Sequence, residues 1–246
     1  MKKQRMRFAA ALAALLFASI AIANEALIRK VLEAKMGGVK IEGIQPGPIA
    51  GLYEVRYRSA EGVQVVYTDA NATYIIVGTI YESRSSRNLT EERMRKLNAI
   101  KFESLPLELA VKVQRGNGKR VLAMFSDPYC PACRQFERSL AQIDNVTIYI
   151  FMYPVIRPEN TEHSRMVWCS ADRAKAWLEL AAAPKPKVPD AAAGCDDPVD
   201  KVLKLGRGLG VNSTPTLILA NGERVTGGLA APDLKELLDQ TLVTAR

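Results

Sequence analysis

The sequence predicts two domains: a small α+β domain and an α/β domain with a helical insertion, joined by a linker helix. Three observations carry this. Before residue 85 a short helical pattern precedes several strand-like runs. From Glu103 onward, buried-strand runs alternate with helical patterns and end on a hairpin and a helix. Between the two lies a polar helical stretch. At roughly 100–200 residues per domain, the chain's 246 residues fit one large or two small domains. The composition, 48% hydrophobic with four Cys, excludes collagen, a disordered tail, a coiled-coil rod and a disulfide-dense miniprotein.

Residues 1–23 read as a secretory signal. Met1 to Arg7 carries four cations and no acid, Phe8 to Ala23 is uncharged and apolar, and Ala21-Ile22-Ala23 supplies a small-x-small cleavage site. The apolar run is shorter than the ~20 residues that span a bilayer, so no permanent anchor is expected. No Cys precedes Cys130, which excludes a lipoprotein start at that site. The formal charge of +8 depends heavily on these first residues. Without their four cations the balance is ordinary for a soluble surface, and nucleic acid is not an expected partner.

The small domain is placed at residues 24–84. Glu25 to Met36 sets Leu27, Ile28, Val31 and Leu32 on one helical face, and Gly37-Gly38 ends it. Pro46, Gly47 and Pro48 mark a turn. Strand-like runs follow at Gly51–Tyr57, Val63–Thr68 and Tyr74–Tyr81. So short a segment is marginal as an independent core. One helix and a small sheet leave an edge and an apolar face that a second copy would cover.

The linker helix is placed at residues 85–102. Asn88 is its cap and Glu91 the third position of a capping box, with sparse apolar spacing at Leu89, Met94, Leu97 and Ile100. Arg93, Arg95 and Lys96 read as a solvated face.

The α/β domain is placed at residues 103–246. Strands are expected at Val121–Phe125 and Val146–Met152, with a helix at Pro131–Leu140 between them. An insertion of about residues 159–209 follows. It contains a helical segment Glu159–Ala183, a Pro- and Lys-rich loop, and a helix Asp197–Leu209. Thr216–Ala220 and Arg224–Thr226 form a hairpin about Asn221-Gly222, and Asp233–Val243 closes the chain as a helix.

The chemistry lies in Cys130-Pro-Ala-Cys133. The pair follows a buried strand and opens a helix whose first position is Pro131, where a missing N–H costs nothing. Cys130 then caps the helix, and free N–H groups and the positive end of the dipole favour its thiolate. Cys133, one turn later, is placed to resolve a mixed disulfide. Covalent haem would need His after the second Cys, and residue 134 is Arg. Zinc would need four ligands, and Cys169 and Cys195 are lone cysteines instead of a second close pair. A merely structural disulfide is the remaining alternative, and the strand–Cys–Pro–helix context argues against it. Neither metal nor cofactor is expected.

Thr214-Pro215, just before the hairpin, fits a cis peptide beside the dithiol, with Thr214 backbone groups free to pair with an extended substrate. Tyr129, preceding the nucleophile, is a candidate for the substrate groove or for packing. Trp168 and Trp177 read as core, and His163 as a surface His. Cys169 and Cys195 either bridge, fastening the Pro-rich loop to the helical insertion, or remain free buried thiols.

The C-terminal half resembles a thioredoxin-like domain, and the whole chain after the signal resembles the periplasmic disulfide isomerase family of DsbC and DsbG. The residues carrying this are Ile44–Gly51, Tyr74–Tyr81, Lys96–Ala99, Phe125–Cys133, Val167–Cys169, Gly210–Pro215 and Asn221-Gly222. The resemblance implies a V-shaped homodimer joined through N-terminal dimerisation domains, with two dithiols facing a shared uncharged cleft. It implies a structural disulfide between Cys169 and Cys195, as DsbC relatives carry. It also implies unfolded or misoxidised secreted proteins as substrates, a periplasmic location, and a DsbD-like thiol reductant at the inner membrane. Three features depart from relatives. The Pro131-Ala132 spacer replaces Gly-Tyr or Pro-Tyr, Met124 stands where thioredoxin buries an Asp, and no His lies between the cysteines. Because the spacer helps set the potential, a DsbG-like reductase or net oxidase is the rival reading. A holdase chaperone is the rival of another class.

Overall fold

The computed structural model describes residues 24–59, 62–183, 185–190, 192 and 194–244. The signal expected at residues 1–23 lies outside them. The chain divides into two compact units between Met94 and Arg95.

In the N-terminal unit, helix α1 (24–35) ends on Gly37 and Gly38, whose φ of +72° and +78° suit residues without a Cβ. Its Ile28 and Leu32 pack on Ile41, Val55 and Val66. The antiparallel sheet runs in the order β1 (Ile41–Pro46), β2 (Leu52–Ser59), β3 (Gly62–Asp69) and β4 (Ile75–Ile76). β1 was not expected from the sequence, because Gly43 and Pro46 dilute its apolar alternation.

The expected strand Tyr74–Tyr81 survives only as β4 and as Tyr81–Glu82 (β5), which pairs with Arg87–Asn88 (β6). Its apolar side chains lack a covering layer in the single chain: Tyr74 is 69% and Val77 80% exposed. Strand propensity without a packed face does not hold a ladder together.

Helix α2 (Leu89–Leu97) starts as the sequence predicts. Asn88 Oδ1 accepts from the Glu91 N–H at 3.0 Å, and the Asn88 amide reaches back to the Glu91 carboxylate. It ends well before Phe102. The Ile100 N–H is instead bonded to the Gly222 carbonyl at 2.8 Å, so a distant turn claims the backbone that helical spacing would have used. Gly222, at φ +84°, is needed there, since a Cβ would lie 2.7 Å from the Ile100 oxygen. The solvated face expected of α2 is also corrected. Arg93 pairs with the buried carboxylate of Glu54 at 3.0 Å, and Arg95 pairs with Glu223 at 3.3 Å, leaving Lys96 exposed.

The C-terminal unit holds a five-stranded sheet. Its strands are β7 (Val111–Arg115), β8 (Arg120–Ser126), β9 (Val146–Met152), β10 (Thr216–Leu219) and β11 (Arg224–Thr226), in the spatial order β11-β10-β8-β9-β7. β8 and β9 are parallel and the other pairs antiparallel. The sequence reading missed β7, a five-residue edge strand.

Alternation along the central strand splits the core in two. Leu122 and Met124 face one side, with helices α3 (Pro131–Leu140), α4 (Thr161–Cys169), α5 (Arg173–Trp177) and α7 (Ala231–Thr244). Ala123 and Phe125 face the other, with α6 (Val199–Gly208) and the segment around Leu105. This two-sided burial explains the unbroken apolar run of β8. The helical insertion spans α4 to α6. The helix expected at Glu159–Ala183 is interrupted near Asp172, whose side chain accepts from the Lys175 N–H and restarts the chain as α5.

Candidate active site

β8 delivers the chain to Asp127, which is fully buried. One carboxylate oxygen accepts from the Tyr129 N–H at 2.8 Å and the other from the Ile156 N–H at 2.7 Å, while its carbonyl accepts from the Cys130 N–H at 3.1 Å. This side chain, which sequence reasoning passed over, shapes the loop before the dithiol. An acid directly between a buried strand and a proline was the available signal.

Cys130 occupies the N-cap of α3 with Pro131 at the first turn. An anion is held most favourably at that end of a helix. Cys130 and Cys133 stand as two thiols, 4% and 1% exposed. Cys130 Sγ donates to the Thr214 carbonyl at 3.3 Å. The Thr214–Pro215 peptide is cis, and the Pro215 carbonyl accepts from the Gly227 N–H at 2.8 Å. The structure thus brings together the dithiol and the Thr-Pro turn picked out in the sequence.

The two sulfurs differ. Burial pushes the Cys133 thiol up to about 12, opposed by the hydroxyls of Ser126 and Thr214 and the backbone of Asp127, and reinforced by the neighbouring Cys130. Cys133 is therefore the sulfur that keeps its proton. Ser126 Oγ and Thr214 Oγ1 are both buried and, among the described residues, meet the sulfur without a hydrogen bond of ordinary geometry.

Helix α3 is tied to the insertion by two further side chains. Arg134 donates to the carbonyl oxygens of Leu180 and Ala183. Glu137 is buried and accepts from the Trp177 indole N–H at 2.8 Å. Burial pushes the Glu137 carboxyl above the usual carboxylate range, partly offset by that indole and by Arg115. Glu137 shares a helix face with Cys133, and a lone acid one turn beyond the second Cys was its only sequence signal.

The Tyr129 ring is half-buried against the core, and its hydroxyl is hydrogen-bonded to His163 Nδ1. His163 is accordingly not the solvated residue expected; it is held against the residue that precedes Cys130. Trp177 is fully buried and Trp168 nearly so, with the Arg173 guanidinium 3.6 Å above the Trp168 ring. Cys169, at the end of α4, is bonded to Cys195, ahead of α6, with Cα atoms 5.8 Å apart. A cleft of about 500 Å³ lies along α3 beside Ala132, Phe136, Gly228 and Pro232.

The chain is similar to known proteins. Residues 19–91 match the disulfide bond isomerase protein N-terminal domain, and residues 107–242 match a thioredoxin-like domain. The chain is 37% identical over 212 residues to the "Probable thiol:disulfide interchange protein DsbC" of Bordetella pertussis, covering 86% of this chain and 73% of that protein. It is 30% identical over 231 residues to the thiol:disulfide interchange protein DsbC of Escherichia coli K12, covering 91% of each. A crystal structure of a disulfide interchange protein from Neisseria gonorrhoeae is 38% identical, with a TM-score of 0.52, over 55% of this chain and 97% of that one.

Proposed function

The chain belongs to the DsbC family of thiol:disulfide interchange proteins, and on that premise we propose that it rearranges incorrect disulfides in exported proteins through Cys130 and Cys133. The single observation that carries this reading is the contact of the helix-capping Cys130 with Thr214, beside a second thiol that holds its proton.

In the proposed reaction the Cys130 thiolate attacks one sulfur of a substrate disulfide. A Cys130–substrate disulfide forms, and the other substrate sulfur leaves as a thiolate. A different substrate thiolate then displaces Cys130, so the substrate gains a new pairing without net oxidation or reduction. If no such thiolate arrives, Cys133 attacks Cys130, releases the substrate reduced and leaves the enzyme oxidised. The protonated state of Cys133 makes this exit slow, which favours rearrangement over net reduction. Thr214 and Pro215 present the backbone on which an extended substrate segment rests, and Tyr129 flanks it. The disulfide Cys169–Cys195 takes no part and braces the insertion.

The same reading assigns residues 24–84 to dimerisation, residues 85–102 to the linker and residues 103–246 to catalysis. Homodimerisation is supported by the match of the N-terminal segment and by the exposed Tyr74, Ile76, Val77 and Tyr81. The protein works in the periplasm after removal of residues 1–23, and a DsbD-like thiol reductant keeps its dithiol reduced. Among the described residues no helix is long and apolar enough to cross a membrane.

The test is recovery of activity from a scrambled-disulfide enzyme substrate with a trace of reductant. Recovery by the mature protein that disappears with Cys130→Ala supports isomerisation. No recovery, together with rapid oxidation of a reduced substrate, assigns the protein as an oxidase. Suppression of aggregation that survives Cys130→Ala, without any recovery, assigns it as a holdase.

A further inference from the structure

A buried hydroxyl with no partner is costly, and native structures rarely keep one without a use. Ser126 is the last residue of β8 and is 1% exposed, its carbonyl accepts from the Tyr153 N–H at 2.8 Å, yet among the described residues its Oγ has no hydrogen-bond partner of ordinary geometry. It lies near enough to Cys133 to act on that sulfur together with Thr214 Oγ1, the other buried hydroxyl of the site without a conventional partner among the described residues. A neutral thiol is a poor acceptor and asks little of a hydroxyl. A thiolate in the same place is a strong one, because hydrogen bonds to an ion are about twice as strong as those between neutral groups.

We propose that the Ser126 hydroxyl is the hydrogen-bond donor that holds Cys133 as a thiolate during thiol–disulfide exchange. The proposal rests on the dithiol reading above. When Cys133 resolves a mixed disulfide, it first gives its proton to solvent base, and the Ser126 O–H turns onto the bare sulfur. The Cys133 sulfur then bonds to Cys130, the bond from Cys130 to the substrate sulfur breaks, and the departing thiolate takes a proton from water. The dithiol is oxidised by two electrons and the substrate disulfide reduced by two. When a reductant thiolate reopens the Cys130–Cys133 bond, Cys133 is the leaving group, and the same hydroxyl receives its charge. Among the described residues, Cys130 is the titratable neighbour that acts on Cys133; the carboxylate of Asp127 is committed to the N–H groups of Tyr129 and Ile156.

The experiment uses the mature protein and glutathione disulfide as the probe. Acid quenching separates the dithiol, the Cys130–glutathione adduct and the internal disulfide, so attack by Cys130 and resolution by Cys133 are read as two rates. Well below the raised value of Cys133 the resolution rate climbs about tenfold per pH unit with the thiolate fraction. With Ser126→Ala that line is displaced downward by on the order of tenfold or more, the loss of one hydrogen bond to an ion, while adduct formation keeps its wild-type rate. Ser126→Thr, which retains the hydroxyl, restores resolution. Resolution by Ser126→Ala within twofold of wild type at every pH overturns the proposal. So does equal slowing of both rates, the mark of disturbed packing, or failure of Ser126→Thr to restore the lost step. A wild-type Cys130 that never forms the adduct would overturn the functional reading and this proposal together.

Discussion

The Cys130 thiol and the Thr214 carbonyl oxygen, 84 positions apart in the chain, are hydrogen-bonded at 3.3 Å. On the proposed function, the nucleophile then rests on the backbone group that an extended substrate would engage, and an arriving segment displaces a weak S–H donor to pair there. Thiols are poor donors, so little is lost in the exchange.

Sulfur placement predicts unequal labelling. Cys130 caps a helix, whereas burial pushes Cys133 up to about 12, and alkylating agents attack thiolates. Iodoacetamide at neutral pH is expected to modify Cys130 on the order of tenfold faster than Cys133, as read by peptide mass mapping. Equal labelling of the folded protein would mean that the two sulfurs share one environment.

The bond between Cys169 and Cys195 closes a loop over a separation of 26 residues. Replacing both by Ala frees that loop in the unfolded chain and is expected to lower stability by about 2–4 kcal/mol. Urea unfolding of the double variant measures it, with disulfide exchange at Cys130 preserved. An unchanged midpoint would show that the helices of the insertion hold one another without the bond.

Glu137 predicts a pH dependence. Its carboxyl titrates above its ordinary value of 4.5 because it is buried. The folded protein thus keeps this proton when the unfolded chain has released it. Its contribution is complete below 4.5 and is lost as pH rises through the higher, folded value. Glu137→Gln keeps an acceptor for the Trp177 indole and removes the titration. The stability of wild type relative to this variant should fall as pH rises from about 4 to about 8. A constant difference, measured by urea unfolding across that range, would refute the assignment.

What the sequence disclosed follows a physical divide. α3 and β9 appear with the bounds that periodicity predicts, because continuous apolar runs and a Pro at the first helical position are local signals. The early end of α2 was hidden, since it depends on the Gly222 turn taking the Ile100 N–H. β1 and β7 were hidden because short, diluted strands owe their existence to partners supplied by the fold. At the site, the dithiol and Thr214-Pro215 were legible as motifs. Ser126, Asp127, Glu137 and His163 were not, as each matters only for what burial or a remote partner does to it.

Arg93 shows the same divide in energetic terms. On a helix whose residues are mostly polar it reads as solvated, yet its Nε lies 3.0 Å from Glu54, a carboxylate 6% exposed, and it also reaches Gln45. Removing one partner of a buried pair strands the other's charge, which in dry surroundings costs roughly 3–5 kcal/mol. Arg93 is itself 31% exposed, so water relieves part of that, and Arg93→Ala is expected to cost about 1–3 kcal/mol. Glu54→Gln in the same chain removes the stranded charge and should recover most of the loss. A double-mutant cycle read by urea unfolding isolates the pair. Additive losses for the two substitutions would mean that Arg93 stabilises the N-terminal unit through the packing of its stem, with its charge contributing nothing.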